Sequence, residues 1–247
     1  MNFSHTPRAL VAILALLSWP AFAKTGFLDP QSGMTLGLGT YEHSIAGENL
    51  FDPVPALAPS GTTIAGSDTL RLLPAKIGFF TTRGNAEVEG YFRYMLNQRS
   101  PWTASGGQDG TGYTTFRSYG AGLNAGVSFL QESGFQMKAT LNAEYVLQRA
   151  SIEFRGSSTT DTAQLATSSV LTGAGIQPEL WLGDLWVLSL FAGYQYGFAR
   201  TWNVSKSTTF MGRSFSQGGL DDANGVAAKA QFGGFLAELA LKLNFYK

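Results

Sequence analysis

Apolar and polar side chains alternate over most of this sequence, whereas a helical spacing of apolar residues is almost absent after residue 24. The longest example runs from Phe135 to Leu147, where Val146 is the one apolar residue on the otherwise polar face. A period of two indicates a β-strand with one apolar and one polar face. The pattern predicts eight such strands, over 34–44, 70–82, 87–96, 118–129, 135–147, 169–182, 186–198 and 229–246.

The segments between these predicted strands alternate between long and short. Three of them are tight turns rich in Gly, Asn or Asp, at Arg83-Gly84-Asn85, Gln131 to Gly134 and Gly183-Asp184. The other four are long, polar and rich in Gly, Ser and Thr, over 45–69, 98–113, 156–168 and 201–228. An even number of strands with alternating connections predicts an up-and-down antiparallel meander whose two ends differ.

Such a meander can close with its apolar face inside, as in a soluble barrel, or outside, as in a membrane barrel. Charged residues make up 14% of the chain, whereas a soluble domain carries about 25%. The polar faces hold four basic and five acidic side chains, too few for a wall in water but suited to a lumen where charges pair: Lys76, Glu87, Glu89, Arg93, Lys138, Glu144, Glu179, Glu238 and Lys242. The predicted fold is therefore all-β, an eight-stranded antiparallel up-and-down transmembrane β-barrel with a lumen charge network.

The lumen of such a barrel is just wide enough for side chains to fill. Lys76 lies on the strand before Glu87 and Glu89, across one tight turn, so we expect it to pair with one of these carboxylates. The network would then close the barrel. A polar conduit is the alternative, because small residues on the inward face, such as Gly120 and Gly122, leave space.

Aromatic residues gather near the ends of the predicted strands, as the two interfacial girdles of a membrane barrel require. The girdle at the short turns is predicted to contain Phe129, Phe135, Trp186 and Phe245. The girdle at the long loops is predicted to contain Tyr41, Tyr94, Tyr119, Tyr196 and Trp202.

The N-terminal segment has the pattern of a bacterial secretory signal. Arg8 is followed by an apolar run over 9–17, and the sequence Ala21-Phe22-Ala23 matches a cleavage site of the A-x-A type. We therefore expect a signal peptide over 1–23, with Ala21 and Ala23 at the cleavage site, and a barrel domain over 24–247. The chain contains no Cys, so the fold takes no disulfides.

The last predicted strand carries the most specific pattern, an alternation that ends on an aromatic residue: Phe235, Ala237, Leu239, Leu241, Leu243 and Phe245. It resembles the C-terminal signal by which the barrel-assembly machinery recognises outer-membrane proteins. The whole mature chain resembles the small outer-membrane β-barrels of Gram-negative bacteria, the group with the transmembrane domain of outer-membrane protein A and the OmpX and OmpW types. The resemblance implies an integral outer-membrane location, contacts with membrane lipid and lipopolysaccharide, and a monomer.

These observations favour a non-enzymatic structural or surface-interaction protein with a narrow polar lumen and four long extracellular loops. No cofactor and no metal are expected. A formal net charge of zero, without any cluster of Lys or Arg, argues against a nucleic-acid partner. The alternatives are a narrow, porin-like channel for small or hydrophobic solutes and a lipid A-modifying enzyme.

Enzymatic barrels of this group resemble esterases in their use of His and Ser at the outer rim. His43 is the one histidine of the mature chain, and Ser44 follows it. Adjacent strand residues point to opposite faces, so Ser44 is a poor partner, and a Ser from another strand would be needed. We therefore expect His43 to be a rim residue without a catalytic role.

Two of the long loops carry further candidates. The segment Asp221 to Gly225 is similar to a calcium loop but lacks the closing Glu, so a turn is expected there. The first long loop is unusually apolar, with Leu50, Phe51, Val54, Pro55, Leu57 and Pro59. Three interpretations stay open: a lid folded over the mouth, a contact with lipopolysaccharide, and a variable, mobile loop.

Overall fold

The computed structural model describes residues 31–43, 53–66, 71–97, 99–157, 159–198, 200–230 and 232–245. The predicted signal peptide, with Ala21 and Ala23, lies outside these residues. Among the described residues, no helix is long and apolar enough to cross a bilayer. The elements in chain order are β1 (Gln31–His43), α1 (Val54–Leu57), β2 (Thr62–Gly66), β3 (Arg71–Arg83), β4 (Ala86–Asn97), β5 (Ser100–Gly106), β6 (Gly110–Glu132), β7 (Phe135–Arg155), β8 (Thr160–Trp181), β9 (Trp186–Gly197), β10 (Arg200–Thr201), β11 (Asn203–Val204), β12 (Thr208–Phe210), β13 (Arg213–Phe215), β14 (Gly218–Gly219), β15 (Lys229–Ala230) and β16 (Gly233–Asn244).

Eight of these strands form a closed ring in which every neighbouring pair is antiparallel. The order around the ring is β1, β3, β4, β6, β7, β8, β9 and β16, and β16 pairs with β1 from Gly33↔Asn244 to His43↔Gly234. Each strand of the ring follows its neighbour in the chain, so the topology is the predicted up-and-down meander. The prediction of an eight-stranded antiparallel barrel is confirmed.

The alternation of side chains along each strand sets the two surfaces of the ring. Leu123 and Leu141 face outward and are 62% and 67% exposed, whereas Lys138 and Glu144, on the other face of β7, are each 2% exposed. The outer surface is a band of Leu, Val, Ile, Phe and Tyr side chains. Apolar side chains are therefore outside and charged side chains inside, as the composition predicts.

Three strands are much longer than the sequence pattern indicates. β6, β7 and β8 contain 23, 21 and 22 residues and rise above the other strands at the end opposite the tight turns. Two predicted loops are therefore wrong: most of 98–113 belongs to β5 and β6, and 156–168 belongs to β8 from Thr160 onward. Their many Thr residues favour strands, but small and polar side chains on both faces conceal the alternation.

The long connections fold into the space enclosed by the extended strands and build an apolar core there. Phe154 of β7 stacks on Trp102 of β5, with ring centroids 5.8 Å apart, and lies 6.2 Å from Phe210 of β12. Leu220 and Phe232 complete this core and are almost fully buried. The barrel thus continues outward as a second, apolar layer that we call the upper core.

Two residues predicted for the outer girdle belong to the interior instead. Tyr41 is 3% exposed because it shares the inward face of β1 with Gly37 and Gly39. Trp202 is fully buried in the upper core, with its ring 6.3 Å from that of Phe116, because the chain turns inward after β9 ends. Tyr94, Tyr119 and Tyr196 remain on the outside, and the Tyr94 and Tyr119 ring centroids lie 5.0 Å apart.

The upper core predicts different effects for two truncations in the same connection. Leu220→Ala should destabilise the upper core by about 2–5 kcal/mol, because a fully buried leucine leaves a cavity. Val226→Ala removes a side chain that is 61% exposed and serves as the control. Native-state proteolysis of the 200–230 region should be faster for Leu220→Ala only. Equal cleavage rates in the two variants would show that this connection is not packed.

Candidate functional site

All nine charged residues predicted for the lumen lie in the interior of the ring. Each of these side chains is at most 9% exposed, and they come from five of the eight ring strands. The structure divides them into two clusters at different depths. The lower cluster, nearer the tight turns, contains Glu87, Lys138, Glu179 and Lys242, and the upper cluster contains Lys76, Glu89, Arg93, Glu144 and Glu238.

The lower cluster is a closed square of alternating charges. Lys138 donates to Glu87 Oε2 at 2.6 Å and to Glu179 Oε2 at 2.7 Å. Lys242, from β16, donates to the second oxygen of each carboxylate, Glu87 Oε1 and Glu179 Oε1, both at 2.5 Å. Gln177 Nε2 also donates to Glu179 Oε1, at 2.7 Å. Two lysines and two glutamates thus tie four strands together across the lumen.

The upper cluster is a chain of ion pairs with one more acidic than basic group. Lys76 Nζ lies 3.2 Å from Glu89 Oε2 and 2.6 Å from Glu238 Oε1. Arg93 connects Glu238, at 3.5 Å, to Glu144. Lys76 therefore contacts Glu89 of the two predicted carboxylates, whereas Glu87 belongs to the lower cluster.

Tyr91 is a member of the upper cluster that sequence reasoning did not select. Its hydroxyl donates to Glu144 Oε2 at 3.1 Å, and the guanidinium of Arg93 lies 4.8 Å from its ring centroid. The signal in the sequence was its position, because Tyr91 falls on the polar face of β4 between Glu89 and Arg93. A tyrosine there supplies a donor to a site with a surplus of carboxylates.

Long charged side chains occupy the space beside the inward glycines of the described strands. A methyl group at Gly120 would overlap the carboxylate of Glu144, and one at Gly37 would approach the carboxylate of Glu238 to 3.1 Å. Among the described residues, the voids beside the lower and upper clusters measure about 20 Å³ and 10 Å³. Each holds about one water molecule.

Above the charged clusters, the described part of the first connection contributes apolar side chains to the upper core. Val54 and Leu57 of α1 are fully buried in the upper core. Arg213 fixes this segment to the fourth connection, since its guanidinium donates to the backbone oxygens of Ala56 at 2.8 Å and of Asp222 at 3.1 Å. Leu50 and Phe51 lie outside the described residues, Pro55 is exposed and Pro59 is half-buried.

The two remaining candidates lie at a strand end and in a turn. His43 is the last residue of β1 and pairs with Gly234 of β16, and Ser44 lies outside the described residues. The segment after Asp221 is a turn in which Asp222 Oδ1 accepts from the backbone nitrogens of Asn224, at 2.8 Å, and Val226, at 2.9 Å. In the part of the chain that the structure describes, no three His, Asp or Glu side chains are grouped as metal ligands.

The last strand of the ring presents an apolar face to the outside. Phe235, Leu239 and Phe245 are 48%, 53% and 51% exposed, while Leu241 and Leu243 lie on the same outward face. On the inward face of β16, Glu238 and Lys242 enter the two charge clusters. One strand thus closes the ring, contributes to both clusters and displays the predicted assembly pattern.

The fold defines an eight-stranded antiparallel barrel with charge clusters in its interior, and it is similar to solved structures of bacterial proteins. The chain is similar to neisserial surface protein A, with 15% identity over 88% of this chain and 99% of that chain and a TM-score of 0.43. It is similar to Ail, the attachment invasion locus protein of Yersinia pestis, with 12% identity over 88% and 100% of the two chains and a TM-score of 0.43. The translocator domain of the autotransporter NalP from Neisseria meningitidis is 16% identical over 96% and 97%, with a TM-score of 0.36.

No protein-family model matches the sequence, and no curated protein matches it either.

The lower cluster predicts that breaking a buried ion pair costs far more folding free energy than breaking an exposed one. Lys242→Met leaves Glu87 and Glu179 buried with one fewer cation and should cost about 3–5 kcal/mol. Arg99→Met, the control, breaks a pair with Glu153 in which the Arg99 side chain is 52% exposed, and it should cost about 0–1 kcal/mol. Reversible urea unfolding in detergent micelles measures both. Similar costs for the two variants would contradict the buried network.

Proposed function

We propose that this protein is a non-enzymatic, monomeric β-barrel of the bacterial outer membrane whose lumen is closed and whose function resides in the surface of its outer end. The observation that carries the proposal is the inversion of the usual arrangement, with apolar side chains outside the ring and paired charges inside it. A band of exposed Leu, Val and Phe around a whole molecule is stable only where lipid replaces water.

The closed ring meets the main requirement of a membrane-spanning sheet. Every ring strand pairs with two neighbours, so the wall has no free edge, and its backbone hydrogen bonds are made within the protein. The predicted export signal over 1–23 and the outward alternation of β16 up to Phe245 support delivery to the outer membrane by the barrel-assembly machinery.

The interior supports a structural role over transport. An ion moving along the lumen would meet first the lower cluster, then the upper cluster and finally the lid formed by Val54 and Leu57. Separating these ion pairs would expose several buried charges at once. Contact with partners therefore falls to the outer end, where the connections and the ends of β6, β7 and β8 extend beyond the rest of the ring.

A single charge on the proposed lipid face tests the membrane assignment. Leu123→Arg should destabilise the barrel by about 2–4 kcal/mol if this residue lies near the bilayer midplane. Val226→Arg places the same charge on an exposed connection and should fold as the wild type does. Refolding into lipid vesicles, followed by urea titration, measures both. Unchanged stability of Leu123→Arg would place the apolar wall outside the membrane.

Electrical recording distinguishes the closed barrel from the narrow channel. The purified wild-type protein in a planar bilayer should show no discrete conductance, because charge pairs and an apolar lid fill the lumen. A channel would instead show unitary steps whose size changes in Lys76→Met and Glu89→Gln, the variants at the centre of the upper cluster. Steps in the wild type that respond to these two substitutions would overturn the closed-lumen proposal.

A further inference from the structure

Two arginines face each other on the outside of the extended wall. Arg117 of β6 and Arg149 of β7 are cross-strand partners, and both side chains are exposed on the outward face. Like charges directly opposite each other on a sheet destabilise it. Within the described residues, neither guanidinium makes an ion pair or a hydrogen bond.

The nearest acidic residue on the outward face of β7 is already engaged. Glu153 lies four positions beyond Arg149 and pairs with Arg99 at 3.2 Å and with Arg155 at 2.7 Å. The outward positions of β8 beside this site carry Gln164, Ala166 and Ser168 and no acid. Among the described residues, the two opposed arginines therefore lack a carboxylate that could balance them.

The wall around the two arginines is concave. Small and polar residues separate them from the next strand, and the register places Ala166 beside Arg149 and Gln164 beside Ser151. The result is a groove of about 540 Å³ with hydroxyl and amide donors at its edge, namely Thr115, Ser151, Gln164 and Ser205. A second groove of about 450 Å³ adjoins it past Ser168 and carries Arg200 and Lys229. No acidic residue lines either groove.

The position of the site along the wall indicates what occupies it. Arg117 lies two residues beyond Tyr119, and Arg149 two residues beyond Leu147, each on the same outward face. At a rise of about 3.4 Å per residue, the arginines are roughly 7 Å further along the strands than this aromatic and apolar layer. Tyrosine at the end of an apolar wall marks the membrane interface. The arginines then lie at the depth of lipid head groups.

We propose that Arg117 and Arg149 bind the phosphate of an outer-leaflet glycolipid, whose acyl chains lie along the apolar wall below. The inference rests on the proposed membrane location and gives it a specific lipid contact. A phosphate between two guanidinium groups accepts charge-assisted hydrogen bonds from both and removes their mutual repulsion. The second groove, with Arg200 and Lys229, continues the same positive surface around the barrel and fits a further phosphate of the same lipid layer.

The test compares two double variants that remove the same number of positive charges. Arg117→Gln with Arg149→Gln removes the opposed pair. Arg99→Gln with Arg155→Gln is the control, because both of those arginines are satisfied by Glu153. Native mass spectrometry of the folded protein in a neutral detergent measures binding of diphosphorylated lipid A, of the same lipid after dephosphorylation, and of phosphatidylcholine.

The wild type should bind diphosphorylated lipid A about tenfold more tightly than the dephosphorylated lipid. The control should keep this preference, and the Arg117 and Arg149 double variant should lose most of it. Arg117→Lys with Arg149→Lys, which keeps the charge without the planar donors, should retain part of it. A wild type without preference, or a double variant that keeps it, would overturn the proposal.

Two further measurements distinguish a site for a free anion, or a misfolded variant, from the proposed lipid site. Inorganic phosphate at the concentration of the lipid should not displace lipid A, since it has no acyl chains, and its displacement of the lipid would show a site for a free anion instead. Heat-dependent electrophoretic mobility reports whether each variant is a folded barrel. A folded wild type that ignores the lipid phosphate refutes this site alone, whereas stability of Leu123→Arg refutes the membrane location.

Discussion

The closed ring of eight strands encloses charged side chains in a space too narrow for bulk water, and this constraint governs the rest of the structure. A carboxylate in such a space must have a cation within hydrogen-bond reach, because desolvation of an unpaired charge costs several kcal/mol. The lower cluster meets the requirement as a neutral square, and the upper cluster meets it with the help of Tyr91. The glycines of the inward face follow from the same constraint, since they make room for the side chains that pair.

The two layers of the interior are filled by different interactions, ion pairs in one and apolar packing in the other. Ion pairs join β3, β4, β7, β8 and β16 across the lumen near the tight turns, where the ring is continuous. At the outer end the connections fill the enclosed space with Trp102, Phe154 and Phe210. Within the upper core, Arg213 joins the first connection to the fourth by donating to the backbone oxygens of Ala56 and Asp222. A barrel filled in this way gains rigidity from side chains that a wide pore would leave in water.

Periodicity predicted the barrel well because burial on one face imposes a period of two, and the lumen charges followed from their inward positions. The partners within the network were less predictable. Lys76 pairs with Glu89, whereas Glu87 pairs with Lys138, which lies 51 residues further along the chain. The register and tilt of the whole ring determine which of these side chains meet. The extension of β8 and the inward position of Trp202 escaped detection for a related reason, since they depend on packing between distant connections.

The arginines of the wall show how one side chain serves two environments in the same sheet. Arg93 on the inner face of β4 is held by Glu144 and Glu238, and its charge is balanced within the protein. Arg117, on the outer face of the adjacent β6, meets a second arginine and no carboxylate of the described chain. A fold that pairs each lumen cation so closely leaves this outer pair as a charge imbalance among the described residues, and the proposed lipid phosphate would balance it.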